Sequence, residues 1–277
     1  MFKLSANTEY SFSNALLIGV SATLLCKETL LVAQLNYSGY ALYLLTFCTT
    51  FIAYLNSGFE KKIAGFVINS YKYTIIVILL GVLFLTALFI PFDSKIILTL
   101  VTAVLLSLIY FEVVLLKNNL SIRKIYFAKT ILLGLVWSLT TVCLPIAFAG
   151  ADILSVDVLF IFSRRLLFIA ALSLSFDIRD IEKDHNLGFK NIASLVGIPK
   201  TKALAFLLLA VFAALVALQI AIGSLAKPSA LAMLLSTGLA IIPIAIYNPH
   251  KKGNLILFLI DAMLIVQFLL ISAFNNY

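Results

Sequence analysis

Asp177, Asp180 and Asp184 stand three and four residues apart in SFDIRDIEKDHNLGFKNIASLVG, residues 175–197, at the end of an apolar run. Arg179 and Lys183 lie among them. On a helix, residues at i, i+3 and i+7 share a face, so the three carboxylates would point the same way. Carboxylates gathered like this repel one another unless cations lie between them. Hard divalent cations such as Mg²⁺ take oxygen ligands and accept carboxylates together with substrate phosphates. The block therefore suggests a site for Mg²⁺ and a diphosphate. A calcium-binding EF-hand does not fit, because DIRDIEKDHNLG lacks the Gly at position six and the Glu at position twelve that such a loop requires. Spacing alone leaves a second reading open, a solvated interfacial loop of mixed charge.

The elements that must position this block are membrane helices. The 277 residues are 63% hydrophobic and 12% charged, and mean hydropathy is +1.13. A soluble domain runs nearer half apolar and a quarter charged. Apolar runs recur along the whole chain, each long enough to cross about 30 Å of hydrocarbon as a helix. Nine spans are expected, near 10–33, 37–55, 73–91, 95–116, 126–149, 153–176, 201–223, 228–247 and 253–274. The sixth continues past Ser175 and carries the aspartates. Pro145, Pro228 and Pro243 sit in or beside spans, where they kink or start helices.

The net charge of +8 is concentrated in alternate connections. Lys61, Lys62 and Lys72 follow the second span; Lys117, Arg123 and Lys124 follow the fourth. Arg179, Lys183, Lys190 and Lys200 follow the sixth, and Lys251 and Lys252 the eighth. Positive loops stay inside, which puts the N-terminus and the aspartates on the cytoplasmic side and the C-terminus outside. The expected location is the cell (inner) membrane. This distribution is a topology signal and argues against nucleic acid as a partner. The N-terminal MFKLSANTEY shows no cleavage site, so no removable signal peptide is expected. Cys26, Cys48 and Cys143 lie inside apolar runs without ligand spacing, which suits buried thiols.

The stretch DIRDIEKDHNLGFKNIASLVG resembles the second aspartate-rich motif of the UbiA superfamily of intramembrane prenyltransferases, with Asp177, Asp180, Asp184, Gly188, Lys190, Leu195 and Gly197 at matching places. SRRLLFIAALSLSF resembles the helix that precedes that motif, and SIRKIYFAKTILLGLVWSLTTVCLP resembles the family's basic loop and fifth helix. The resemblance implies an all-α polytopic bundle of about nine helices and a single prenyltransferase domain over 1–277. It implies transfer of an isoprenyl group from a prenyl diphosphate to a lipophilic, often aromatic acceptor, with Mg²⁺ as cofactor. Asp177, Asp180 and Asp184 would be the catalytic metal ligands. Arg123, Lys124, Arg179 and Lys190 would steady the diphosphate as it leaves.

The first acidic motif of that family should stand where the second span meets the cytoplasm. Here the place reads AYLNSGFEKKIAG. Asn56 and Glu60 match; Ser57 and Ala64 replace acidic residues. Asn56 is then a diphosphate contact and Glu60 the remaining metal ligand. This erosion motivates an alternative, a degenerate protein of the same fold that binds isoprenoid lipid without transferring it. Charges also occur at depth, at Lys27, Glu28, Glu112, Arg164, Arg165 and Asp261. Each costs about 2.5–3.5 kcal/mol to insert, so they pair or line cavities. Arg165 lies about 18 Å up the helix from Asp177 and within about 80° of its face, where Glu28 or Asp261 could pair with it.

Overall fold

In the computed structural model, residues 6–57, 78–83, 93–115, 127–186, 191–249 and 254–275 are described. The long helices are α1 (Ala6–Val32), α2 (Ala41–Ser57), α3 (Ser94–Leu115), α6 (Val156–Arg179), α9 (Ile198–Ala221), α10 (Lys227–Ile246) and α11 (Asn254–Asn275). A composite span runs through α4 (Ala128–Ser138), a π-turn (Leu139–Cys143) and α5 (Leu144–Phe148). Two short helices, α7 (Ile181–Asn186) and α8 (Ile192–Val196), follow α6. Among the described residues, six segments are long and apolar enough to cross a membrane, and Ala41–Leu55 and Ser94–Tyr110 are shorter apolar helices. These coincide with eight of the nine expected spans. The third, near 73–91, falls mostly outside the described residues.

Helix α6 packs between α4 and α9, and α11 packs against α10 and α1. Phe168, Leu174 and Ile178 of α6 are buried with Leu209 and Phe212 of α9 in the main core. Leu98, Val104 and Leu108 of α3 stay exposed, as lipid-facing side chains should. Small residues set the close crossings. A Cβ on Gly134 would meet Leu166 Cγ and carbonyl oxygen at 3.3 Å, so glycine lets α4 lie against α6.

The π-turn has an identifiable cause and two repairs. Pro145 has no N–H and cannot bond to the Thr141 carbonyl one turn earlier. The Leu144 N–H reaches back to Leu139, which leaves the Thr140 carbonyl without its helical donor. Both released oxygens are taken by α1. Thr29 donates its hydroxyl to the Thr141 oxygen at 2.6 Å, and the Cys26 thiol donates to the Thr140 oxygen at 3.5 Å. Pro228 stands in the first turn of α10, and Pro243 lies inside that helix.

The deep charges sort themselves by pairing. Arg165 donates through Nη2 to Glu28 Oε1 at 2.9 Å, with both side chains buried. Its Nη1 reaches Gln267 at 3.4 Å. Arg164 faces elsewhere and donates to the Met233 sulfur at 2.9 Å. The Glu28 side of the expected choice is therefore the pair that forms.

Candidate functional site

The C-terminal end of α6 gathers the site. Asp177 is 2% exposed and Asp180 9%, although both carry carboxylates. The Lys129 ammonium, from the first turn of α4, lies between them, 3.4 Å from Asp177 Oδ1 and 3.5 Å from Asp180 Oδ2. The next residue, Thr130, donates its hydroxyl to Asp177 Oδ2 at 3.3 Å. Arg179 grips Asp180 through both ends of its fork, Nε to Oδ1 at 2.7 Å and Nη2 to Oδ2 at 2.9 Å. Its guanidinium also lies over the Phe176 ring, 5.0 Å from the centroid. The Tyr110 phenol of α3 is within electrostatic reach of Lys129, Asp177 and Asp180.

The expected unbroken helix through Asp184 does not form. Helix α6 stops at Arg179, and Asp180 sits at its C-cap with ψ 4°, outside the helical region. Helix α7 starts one residue later and swings Asp184 toward α8. There Asn191 Nδ2 donates to Asp184 Oδ2 at 2.8 Å and to the Asp177 carbonyl at 2.9 Å. Asn191 also forms a capping box with Ser194 at the start of α8, which fixes its amide in place. Gly197, φ +82°, then turns the chain into α9 in the left-handed region that glycine tolerates. Asp184 remains within electrostatic range of Asp177 and Lys129. Among the described residues, no three His, Cys, Asp or Glu side chains come together closely enough to hold one metal ion.

The structure thus brings together Asp177, Asp180 and Arg179, with Asp184 alongside. Glu60, Arg123, Lys124 and Lys190 lie outside the described residues, and Asn56 lies in the last turn of α2 with its side chain also outside them. Spacing alone does not single out Thr130 or Asn191, and Lys129 stands in a basic stretch with Lys117, Arg123 and Lys124 that reads equally as topology or as diphosphate binding. A signal was available: it opens the helix that packs against the aspartate helix, with a hydroxyl beside it.

Against this geometry we compared the chain with known proteins. No protein-family model matches it, and no curated protein matches it. Solved structures do. One, described in work on digeranylgeranylglyceryl phosphate synthase in membranes, superimposes with a TM-score of 0.58 at 14% identity, covering 97% of this chain and 95% of that one. This chain has the UbiA fold. A second likeness, an apo UbiA homologue from Aeropyrum pernix K1, agrees: TM-score 0.56, 16% identity, 93% of this chain and 98% of that chain. With coverage near complete in both directions, the UbiA fold accounts for the whole helical bundle and not for one part of it.

Proposed function

We propose that the chain is an integral-membrane prenyltransferase that moves an isoprenyl group from a prenyl diphosphate to a lipophilic acceptor. The carrying observation is the pair of buried carboxylates, Asp177 and Asp180, sharing the Lys129 ammonium at the mouth of a UbiA-type bundle. Buried carboxylates of this kind are retained where they hold cations or ligands. The prenyl tail belongs in hydrocarbon, while the diphosphate must stay where ions and water reach it. The end of α6, where Lys129 and Arg179 meet the carboxylates, supports that placement.

The donor set suits Mg²⁺ in chemistry: hard carboxylate oxygens, already arranged about a cation. Asp177 and Asp180 would hold it together with substrate phosphate oxygens, and Asp184 and Glu60 are the further carboxylates the family resemblance suggests. Bound there, Mg²⁺ supplies charge neutralisation of the departing diphosphate. Lys129 and Arg179, with Arg123, Lys124, Lys190 and Asn56, bind and orient the same anion. Thr130 and Asn191 hold Asp177 and Asp184 in place.

The test is incubation of the purified protein with labelled prenyl diphosphates, Mg²⁺ and a lipid extract of the source cell. Product mass gives donor and acceptor together. Transfer that survives in full in Asp177→Ala or Asp180→Ala removes the assignment. The degenerate alternative rests on Ser57 and Ala64 in the first motif. It predicts prenyl diphosphate binding with no diphosphate release, which the same experiment reads.

A further inference from the structure

Asp261 lies in α11 and is 9% exposed. Among the described residues it has no hydrogen-bond or ion-pair partner. Arg165, the cation of the expected pairing, is committed to Glu28. A carboxyl left without a partner inside a membrane bundle marks a substrate or proton path. Its surroundings place that path. Asp261 is within electrostatic reach of the Arg179 guanidinium of α6, which holds Asp180, and of the Tyr54 phenol of α2. Tyr54 in turn lies near the Trp137 indole of α4 and within electrostatic reach of Tyr110. On the apolar side of α11, Leu257, Ile260 and Leu264 are buried in the main core.

Depth separates Asp261 from the aspartates of α6. It lies seven residues into α11, about 10 Å from the cytoplasmic helix end, whereas Asp177 is about 3 Å from the end of α6. A diphosphate held at Asp177 and Asp180 would place its first prenyl carbon on the hydrocarbon side of them, toward Asp261. We infer that Asp261 receives the second substrate: its carboxylate accepts a hydrogen bond from the hydroxyl of an alcohol or phenol acceptor and takes that proton during transfer. The acceptor oxygen forms its bond to the prenyl C1. The C1–O bond to diphosphate breaks, and its electron pair leaves on the diphosphate. The hydroxyl proton passes to an Asp261 oxygen, which leaves a neutral carboxyl.

This inference rests on the transferase reading, so the experiment separates their failures. Wild type, Asp261→Asn, Asp261→Ala and Asp261→Glu are each incubated with labelled geranylgeranyl diphosphate, Mg²⁺ and the source-cell lipid extract. Diphosphate release, prenylated lipid and free prenol are measured together, and thermal melting confirms the fold of each variant. Asp261→Asn should release diphosphate within about threefold of wild type while prenylated lipid falls about a hundredfold and prenol, the water-captured product, takes its place. Asp261→Glu should recover part of the lipid product. A purely packing role would lower all products together and leave their ratio unchanged. An unchanged ratio in Asp261→Asn, or in Asp261→Ala where the amide variant does not fold, overturns the inference and leaves the transferase reading standing. Wild type that releases no diphosphate overturns the transferase reading and this inference with it.

Discussion

Replacing Glu28 with Gln should strongly destabilise the bundle. Glu28 and Arg165 are 5% and 3% exposed at the side chain and meet at 2.9 Å. Glu28 also acts on Arg164, whose Nε and Nη2 are buried without partners among the described residues. One carboxylate therefore balances two guanidiniums. The other bonds of Arg165, to Gln267 and the Leu25 carbonyl at 3.4 Å and to Thr29 at 3.5 Å, are long. Breaking a buried pair by removing one partner costs about 3–5 kcal/mol. At about 2–4 °C per kcal/mol, the melting temperature should fall by about 6–20 °C. Arg165→Gln should fall less, because Arg164 remains to face Glu28. The protein carries its own reporter. Cys26 and Cys48 are buried, so with the half-buried Cys143 replaced by Ser a thiol-reactive dye in detergent reads unfolding. Two results would refute the reasoning: Glu28→Gln melting within about 1 °C of wild type, or Arg165→Gln melting below it. A third would be failure of Glu28→Arg with Arg165→Glu to recover any stability lost in either single reversal.

Lys129→Met should weaken inorganic pyrophosphate binding about tenfold or more, the loss expected for one charged hydrogen bond, as read by calorimetry in detergent. Affinity equal to wild type would free Lys129 of any part in the anion site. Asn191→Ala removes both the cap of α8 and the amide that holds Asp184. It should cost about 1 kcal/mol in melting experiments and raise protease or hydrogen-exchange sensitivity in residues 181–197 before elsewhere.

Much of this architecture is legible from hydropathy, because a bilayer demands long apolar helices and tolerates little else. The pairing of Arg165 was also within reach, since helix periodicity and depth left Glu28 and Asp261 as the plausible acids. The end of α6 was harder. Spacing says that Asp177, Asp180 and Asp184 share a face only if the helix persists, and its persistence depends on partners far along the chain. Asn191 sits fourteen residues after Asp177, and its amide bonds to the Asp177 carbonyl that ends the helix. No local pattern announces that bond. Lys129 was hidden for the opposite reason: a lysine near a membrane border has an ordinary explanation.

The π-turn adds one residue to a helical span, and a residue is worth about 100° of rotation. The two halves of that span are therefore phased independently. The C-terminal half, with Leu144 and Ile146 buried, follows a π-turn whose Thr141 and Thr140 oxygens are keyed to α1 by Thr29 and Cys26. The N-terminal half points Lys129 and Thr130 at Asp177. The extra residue works as a clutch between them. Closing the π-turn by deleting one residue within 139–143 would leave the hydropathy of the span intact. It would also swing Lys129 about a quarter turn away from the carboxylates, emptying the mouth of its cation without touching any residue that lines it.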